Sequence, residues 1–329
     1  MSDERPRILL VDDEQEVVQG LRRALGRRAK TFDIAVACSA AEALVALALE
    51  PCAVVVSDLQ MPGINGLELL EEIARSRPSV GRVLLTGTAE ADAATRALPA
   101  AHRFLCKPCN VTRIAETCVE LHRYAMQAEH ASRRDAHALA PNALGSITGL
   151  AIDAATLDSA RAVIASGRDA LLQIVDHPAL AAALLHMTGS EFLGGPTAVR
   201  TLGDAVDLVG PIYFEQMLDC GLLLPVSGGQ AHAIIELAEA ARARARAMSA
   251  TPVDRWEIDV LATLLADIDR LGTCDMTEWH GLREPRGAAA LLGLWGAPAP
   301  VVERVAEGEP DARPAASRPV ASGRIQDHA

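Results

Sequence analysis

Aromatic residues make up only 3% of this 329-residue sequence, although half of it is hydrophobic. A core of that composition rests on Ala, Leu and Val, which favours helix-rich packing. Positive charge is also scarce. The formal net charge is -12, so nucleic acid and anionic membrane surfaces are repelled by default. No uninterrupted apolar run approaches the ~20 residues of a membrane span. The opening "MSDERPR" lacks the charged-then-apolar layout of a secretory leader. The seven cysteines are an odd count without framework spacing. Together these features predict a cytoplasmic protein with reduced thiols.

At ~150 residues per domain, the length suggests about two domains. From Arg7 to about Tyr124, strand-like and helical runs alternate. "RILLVDD", "FDIAVACS", "CAVVVSD", "GRVLLTG" and "HRFLCKP" read as strands. "EVVQGLRRALGRR", with Val17, Leu21 and Leu25 at four-residue steps, reads as a helix. "AAEALVALALE", "GLELLEEIARSR" and "AEADAATRALPA" read likewise, and Asn110 caps a last helix from Val111. Five strands alternating with helices predict right-handed crossovers and a doubly wound α/β fold with a five-stranded parallel sheet. Ligands of such sheets sit at the carboxyl ends of the strands.

The second half changes character. Ala/Leu-rich helical segments such as "PALAAALLHMT", "HAIIELAEAARARARAM" and "GAAALLGLWG" follow one another, punctuated by glycines and prolines, and predict an all-α domain. The expected divisions are an N-terminal domain over 1–124, a helical connector over 125–141, a helical domain over 142–309 and a disordered Pro/Ala/Ser-rich tail over 310–329.

The stretch "CAVVVSDLQMPGINGLELL" holds the chemistry. It ends a buried strand on a carboxylate, Asp58. Asp12 and Asp13 end the first strand, which can neighbour the third, so three carboxylates would converge. Such acids disfavour joint ionisation unless a cation offsets them, and oxygen-only ligands suit Mg²⁺. Thr86 ends the next strand with a hydroxyl and Lys107 the last with an ammonium, both suited to phosphate oxygens. Taken singly, Asp12 and Asp13 would be helix-capping acids and Thr86 an ordinary strand residue. In order at four strand ends they form a site for holding a phosphoryl group, with an aspartate as nucleophile.

The segment 7–124 resembles a two-component receiver domain. It carries the acid pair (Asp12, Asp13), the phosphoacceptor in "SDLQMPGINGLELL" (Asp58), the switch hydroxyl in "LLTG" (Thr86) and the "KP" (Lys107, Pro108). The resemblance implies that Asp58 takes a phosphoryl group from a histidine kinase or phosphotransfer protein. It implies that Asp13, Asp58 and the Gln60 backbone carbonyl ligate Mg²⁺, with Asp12 acting through water. It places Phe104 at the switch aromatic, Gln60 and Thr88 at positions that tune phosphoryl loss, and a cis Lys107–Pro108 bond. "CKPC" (Cys106 to Cys109) is a CxxC, but no second CxxC exists to complete a metal site.

The helical half resembles an HDOD domain, the relative of HD phosphohydrolases without catalytic residues. "DHPALAAALLHMTGSEFLGGPTAVRTLGDAVDLVG" (176–210), "VLATLLADIDRLG" (260–272) and "GAAALLGLWGAPAPVVERV" (287–305) carry the resemblance. An active HD-type phosphohydrolase or cyclic-dinucleotide phosphodiesterase is the alternative. It needs a His-Asp pair to hold a metal that activates water. Here Ala266 precedes Asp267, Asp269 points to another helix face, and His232 stands alone. The resemblance thus implies a non-catalytic output that binds a partner protein. A DNA-binding output would need a basic recognition helix, whereas Arg242, Arg244 and Arg246 alternate by two. Ile114, Cys118, Leu121, Ala125 and Ala128 approach a heptad seam, compatible with a homodimer, but an ordinary core-facing helix explains the same spacing better.

Overall fold

Strand β1 (Arg7–Val11) pairs with β2 (Asp33–Ala37) on one side and β3 (Val54–Asp58) on the other, both in parallel. β4 (Gly81–Gly87) and β5 (Arg103–Lys107) complete a five-stranded sheet of order β2-β1-β3-β4-β5. The computed structural model describes residues 5–87, 91–134, 147–193, 199–248, 253, 258–266, 268–273 and 285–307. β3 and most of β4 are buried along their length, as expected for parallel strands covered on both faces. The β1–β3 and β3–β4 registers pair Val11 with Ser57 and Asp58 with Leu85, so the carboxyl ends of the central strands lie level.

The intervening helices are α1 (Gln15–Arg28), α2 (Ala40–Leu49), α3 (Gly66–Ser76), α4 (Ala91–Arg96) and α5 (Val111–Arg134). In α1 the buried line is Val18 and Leu25, with Leu21 packed against it, while Val17 is exposed. The expected seam through Val17 is therefore rotated by one residue, because positions seven apart share a face more closely than repeated steps of four. α4 stops at Arg96, earlier than "AEADAATRALPA" suggests. Pro99 disfavours helical geometry at Leu98, and the chain closes in turns from Ala97 to Ala101 instead. α5 begins at Val111 after the Asn110 side chain accepts from the Thr112 N–H at 2.9 Å. It continues to Arg134; the rest of the expected connector, from residue 135 on, lies outside the described residues. Ile114, Cys118 and Leu121 face the core, and α5 packs on α1.

The second half is mainly helical, with α6 (Ala154–Val163), α7 (Arg168–Leu172), α8 (Pro178–Thr188), α9 (Leu202–Asp219), α10 (Gly229–Met248), α11 (Ile258–Leu265), α12 (Pro285–Leu294) and α13 (Ala299–Glu307). The expectation of an all-α half needs one correction. β6 (Gly149–Asp153) pairs in parallel with β7 (Leu223–Val226) and antiparallel with β8 (Gly272–Thr273). "GLAID" and "LLPV" are too short and too helix-like in composition to signal strands, and their pairing spans some 70 residues. α9 also continues past Gly210, although the Gly-Pro pair there reads as a helix end. Gly210 is non-helical and Pro211 follows it, so the element is kinked there and resumes to Asp219. α8 is buried at every residue, which makes it the central rod of this half.

One contiguous hydrophobic cluster runs from Ile8 through to Val305 and includes both halves. The halves meet where α12 lies along α5, α9 touches α4, and the short 3₁₀ turn Glu191–Leu193 sits beside β5. An edge strand offers unpaired backbone groups; here the β5 edge is covered by that turn.

Candidate functional site

The strand ends converge on a carboxylate cluster. Asp12 and Asp58 are buried and Asp13 is exposed, and one oxygen from each can lie within 4.8 Å of the others. Asp12 follows β1 directly; its backbone N–H donates to Ala37, and its Oδ1 accepts from the Glu14 N–H at 2.9 Å. Asp58 is the last residue of β3 and is 6% exposed. Its carbonyl is crossed closely by α3: a Cβ on Gly66 would overlap the Asp58 carbonyl group. Only glycine lets helix and strand approach so tightly. α3 is fixed at that point by a capping box, in which the Asn65 side chain accepts from the Glu68 N–H and the Glu68 carboxylate accepts from the Asn65 N–H, each at 3.0 Å. Gln60 lies in the loop two residues past Asp58 and is exposed.

Lys107 closes the cluster from β5. Its Nζ lies 2.6 Å from Asp58 Oδ1 and 3.2 Å from Asp12 Oδ2. Partial burial works against the ammonium, but hydrogen bonding to Asp58, the Asp58 charge and then Asp12 outweigh it and hold Lys107 above its usual pKa. Thr86 is fully buried on β4 beside Cys106 of β5, and its hydroxyl donates to the Gly87 carbonyl at 3.2 Å. The Lys107–Pro108 bond is cis. Five of the residues singled out from sequence, Asp12, Asp13, Asp58, Thr86 and Lys107, thus stand at the carboxyl edge of one sheet. Phe104 stands apart from them, on β5 and 1% exposed, against the helical half. Thr88 lies outside the described residues. Cys106 and Cys109 flank Lys107–Pro108, and burial pushes the Cys109 thiol up to about 11, away from reactive thiolate character.

The three carboxylates, supplied by two neighbouring strands, form a hard oxygen donor set that fits a divalent cation such as Mg²⁺. The adjoining Lys107 and Thr86 offer donors to a tetrahedral anion.

Sequence reasoning missed two buried polar groupings. One joins the halves. The Arg103 guanidinium, on β5, donates to the Gly293 and Leu294 carbonyls at the end of α12. Burial brings its pKa down to about 10. His186 of α8 places Nδ1 2.8 Å from the Trp295 carbonyl and Nε2 3.1 Å from the Leu98 carbonyl, and its ring stacks on Trp295 at 4.9 Å. Burial holds His186 at about 4, although both carbonyls favour the protonated ring. The neutral imidazole has one N–H and donates to one of them. A histidine inside the apolar run "LAAALLHMT" was the available signal.

The other grouping lies within the helical half. Asp176 is fully buried and paired with Arg246 and, at 3.0 Å, with Arg242. Arg242 and Arg246, four residues apart, share a helix face and hold one carboxylate, while Arg244 falls two residues off that line. The Arg242 pair is a Coulombic contact without hydrogen-bond alignment, since Asp176 Oδ1 has no hydrogen-bond partner. His177 caps α8 by accepting from the Ala179 N–H, and burial lowers it to about 4. His232 is exposed and pairs with Glu236, and Asp267 lies outside the described residues.

Residues 8–118 match the response regulator receiver domain. The chain is 34% identical over 92 residues to the hydrogenase transcriptional regulatory protein HoxA of Cupriavidus necator, covering 28% of this chain and 18% of that protein. It is 34% identical over 113 residues to the response regulator protein PilR of Pseudomonas aeruginosa, covering 34% and 25%. The signal receiver domain of an HD domain-containing protein from Pseudomonas fluorescens Pf-5 aligns at 27% identity and a TM-score of 0.36, covering 41% of this chain and 96% of that one. The chain thus spans a quarter or less of the length of these two curated relatives. Its N-terminal part is a response regulator receiver domain of the two-component type. Receiver domains bind Mg²⁺ at an acidic cluster and interact with histidine kinases or phosphotransfer proteins. No helix among the described residues is long and apolar enough to cross a membrane.

Proposed function

We propose that this chain is a cytoplasmic response regulator in which Asp58 accepts a phosphoryl group and a non-catalytic HDOD output binds a partner protein. The receiver occupies 1–124, the connector 125–141, the output 142–309 and the tail 310–329. The observation that carries the reading is the gathering of Asp12, Asp13 and Asp58 at the sheet's carboxyl edge, with the Lys107 ammonium on Asp58 and Asp12.

In the proposed reaction an Asp58 oxygen attacks the phosphorus of a phosphohistidine. The P–N bond breaks, the O–P bond of an acyl phosphate forms, and the imidazole departs with its electron pair. Mg²⁺, held by Asp13, Asp58 and the Gln60 carbonyl with Asp12 acting through water, would offset the charge gathered on carboxylate and phosphoryl oxygens. Lys107 binds a phosphoryl oxygen in place of the Asp58 oxygen it holds in the unloaded site, and Thr86 donates its hydroxyl to another. Phe104 acts as the switch aromatic. The sequence of the helical half holds no adjacent His-Asp dipeptide of the HD kind, which favours a protein partner for it over an enzymatic activity, and the net charge of -12 disfavours nucleic acid.

Incubation of the full chain with Mg²⁺ and radiolabelled acetyl phosphate tests the reading. The expected result is about one label per chain, alkali-labile as an acyl phosphate, and none on Asp58→Asn. Labelling of that variant at the wild-type rate contradicts the assignment.

A further inference from the structure

The joint between β6, α8 and α10 holds three buried polar atoms that no protein group satisfies. Among the described residues, Asp176 Oδ1, His177 Nε2 and Arg242 Nε have no hydrogen-bond partner. Asp176 is fully buried and His177 is 2% exposed. The three atoms belong to one place. Asp176 and His177 are consecutive, and Arg242 brings a terminal guanidinium nitrogen to 3.0 Å from the same Asp176 oxygen. The charges that act on the His177 ring are those of Asp153, Arg242 and Asp176. α10 packs on both β6 and α8. Asp153 is already engaged as the cap of α6, where its Oδ1 accepts from the Thr156 N–H at 2.9 Å. Buried polar groups are as a rule hydrogen-bonded, so three unsatisfied ones at a single joint call for an occupant.

The hydrogen-bonding inventory narrows what that occupant is. His177 Nδ1 accepts from the Ala179 N–H at 3.3 Å, so the neutral ring carries its proton on Nε2 and presents a donor. The Arg242 Nε–H is a second donor. Asp176 Oδ1 is an acceptor, and the other oxygen of that carboxylate is taken by Arg246. The occupant must therefore accept twice and donate at least once. A metal ion or an ammonium accepts nothing and would face two guanidinium groups. A halide or a fully ionised oxyanion donates nothing and would face the Asp176 carboxylate. Water does both, and it is the smallest ligand that can. We infer that one ordered water is a built-in member of the helical half, accepting from His177 Nε2 and Arg242 Nε and donating to Asp176 Oδ1. Its three bonds are the usual complement of a buried water. Through it the start of α8 is tied to α10 by hydrogen bonds as well as by the ion pairs on Asp176.

Three measurements on the full chain test this. An electron-density map fine enough to order solvent should show a peak within hydrogen-bond reach of all three atoms. Nitrogen-15 chemical shifts of the imidazole, assigned by their loss in His177→Asn, should show the His177 ring neutral and protonated at Nε2 at pH 7. Oxygen-17 relaxation dispersion of the solvent counts long-lived internal waters. Arg242→Lys keeps a positive charge for Asp176 but removes the Nε donor, and it should lower that count by one. His177→Phe removes the other donor and should do the same. A map in which the three groups bond one another with no solvent between them overturns the inference. A ring protonated at Nδ1 overturns it too, as does an equal water count in wild type and in either variant that folds. Should neither variant fold, the map and the ring shifts of the wild-type chain decide.

Discussion

Lys107 neutralises two acids with one ammonium, so its removal changes both chemistry and balance. Lys107→Met leaves Asp12 and Asp58 facing each other without that cation. A charge-assisted hydrogen bond contributes about 1.5–3 kcal/mol, so uptake of label from acetyl phosphate should fall roughly 10- to 100-fold, measured as an initial rate at saturating Mg²⁺. The two buried histidines govern acid stability. His177 and His186 both fall to about 4 in the fold from a usual 6.5. The unfolded chain therefore binds protons that the folded chain refuses. Stability is highest above pH 6.5 and declines as pH drops toward 4, by up to about 3 kcal/mol per histidine. Urea unfolding at pH 7 and pH 4.5 should reveal the loss. His177→Asn, which keeps a capping side chain while removing the titrating ring beside Asp153, Asp176 and Arg242, should make the decline shallower by about one proton. At this scale the gathering of carboxylates, hydroxyl and ammonium at one sheet edge was legible, because each is a polar residue at the end of an apolar strand. His177, His186, Arg103 and Asp176 were not, because a buried polar residue declares its partner only through contacts distant in sequence.

Among the elements, α3 shows how local chemistry fixes the site. The Asn65–Glu68 capping box starts the helix, and the bare Gly66 lets it pass over the Asp58 carbonyl. Asn65→Ala should cost about 1 kcal/mol in chemical denaturation, whereas Gly66→Ala should cost more and slow phosphoryl uptake as well, since it pushes on the backbone of the proposed phosphoacceptor. The five main strands were readable because Val-, Leu- and Ile-rich runs ending in turn residues leave little alternative. α8 was readable to the residue from His177-Pro178 at its start. The errors have separate causes. α4 is cut short by Pro99, α9 resumes after a Gly210–Pro211 kink that resembles an ending, and β6, β7 and β8 exist only through pairing with one another.

For the molecule as a whole, the continuity of the core is the finding that sequence withheld. A two-domain reading with a helical connector leaves the relation between the halves open, and the contacts that settle it join residues some 190 positions apart, Arg103 to Gly293 and Leu294. Gly293→Val should therefore act on the entire chain. Its added bulk meets the Tyr124 ring, and overpacking of this kind costs about 1–3 kcal/mol. Thermal unfolding should show a lower midpoint.

A sheet has two rims, and here the helical half occupies one of them. The other belongs to β2, whose Asp33 to Val36 are exposed or half-buried, with Arg5 paired to Asp33 at 3.3 Å. Pairing through the one open rim of this five-stranded sheet joins two copies about a two-fold axis and leaves that sheet no further rim to offer. Accidental self-association through this sheet should thus stop at pairs, and indefinite growth through it would require the helical half to come away first.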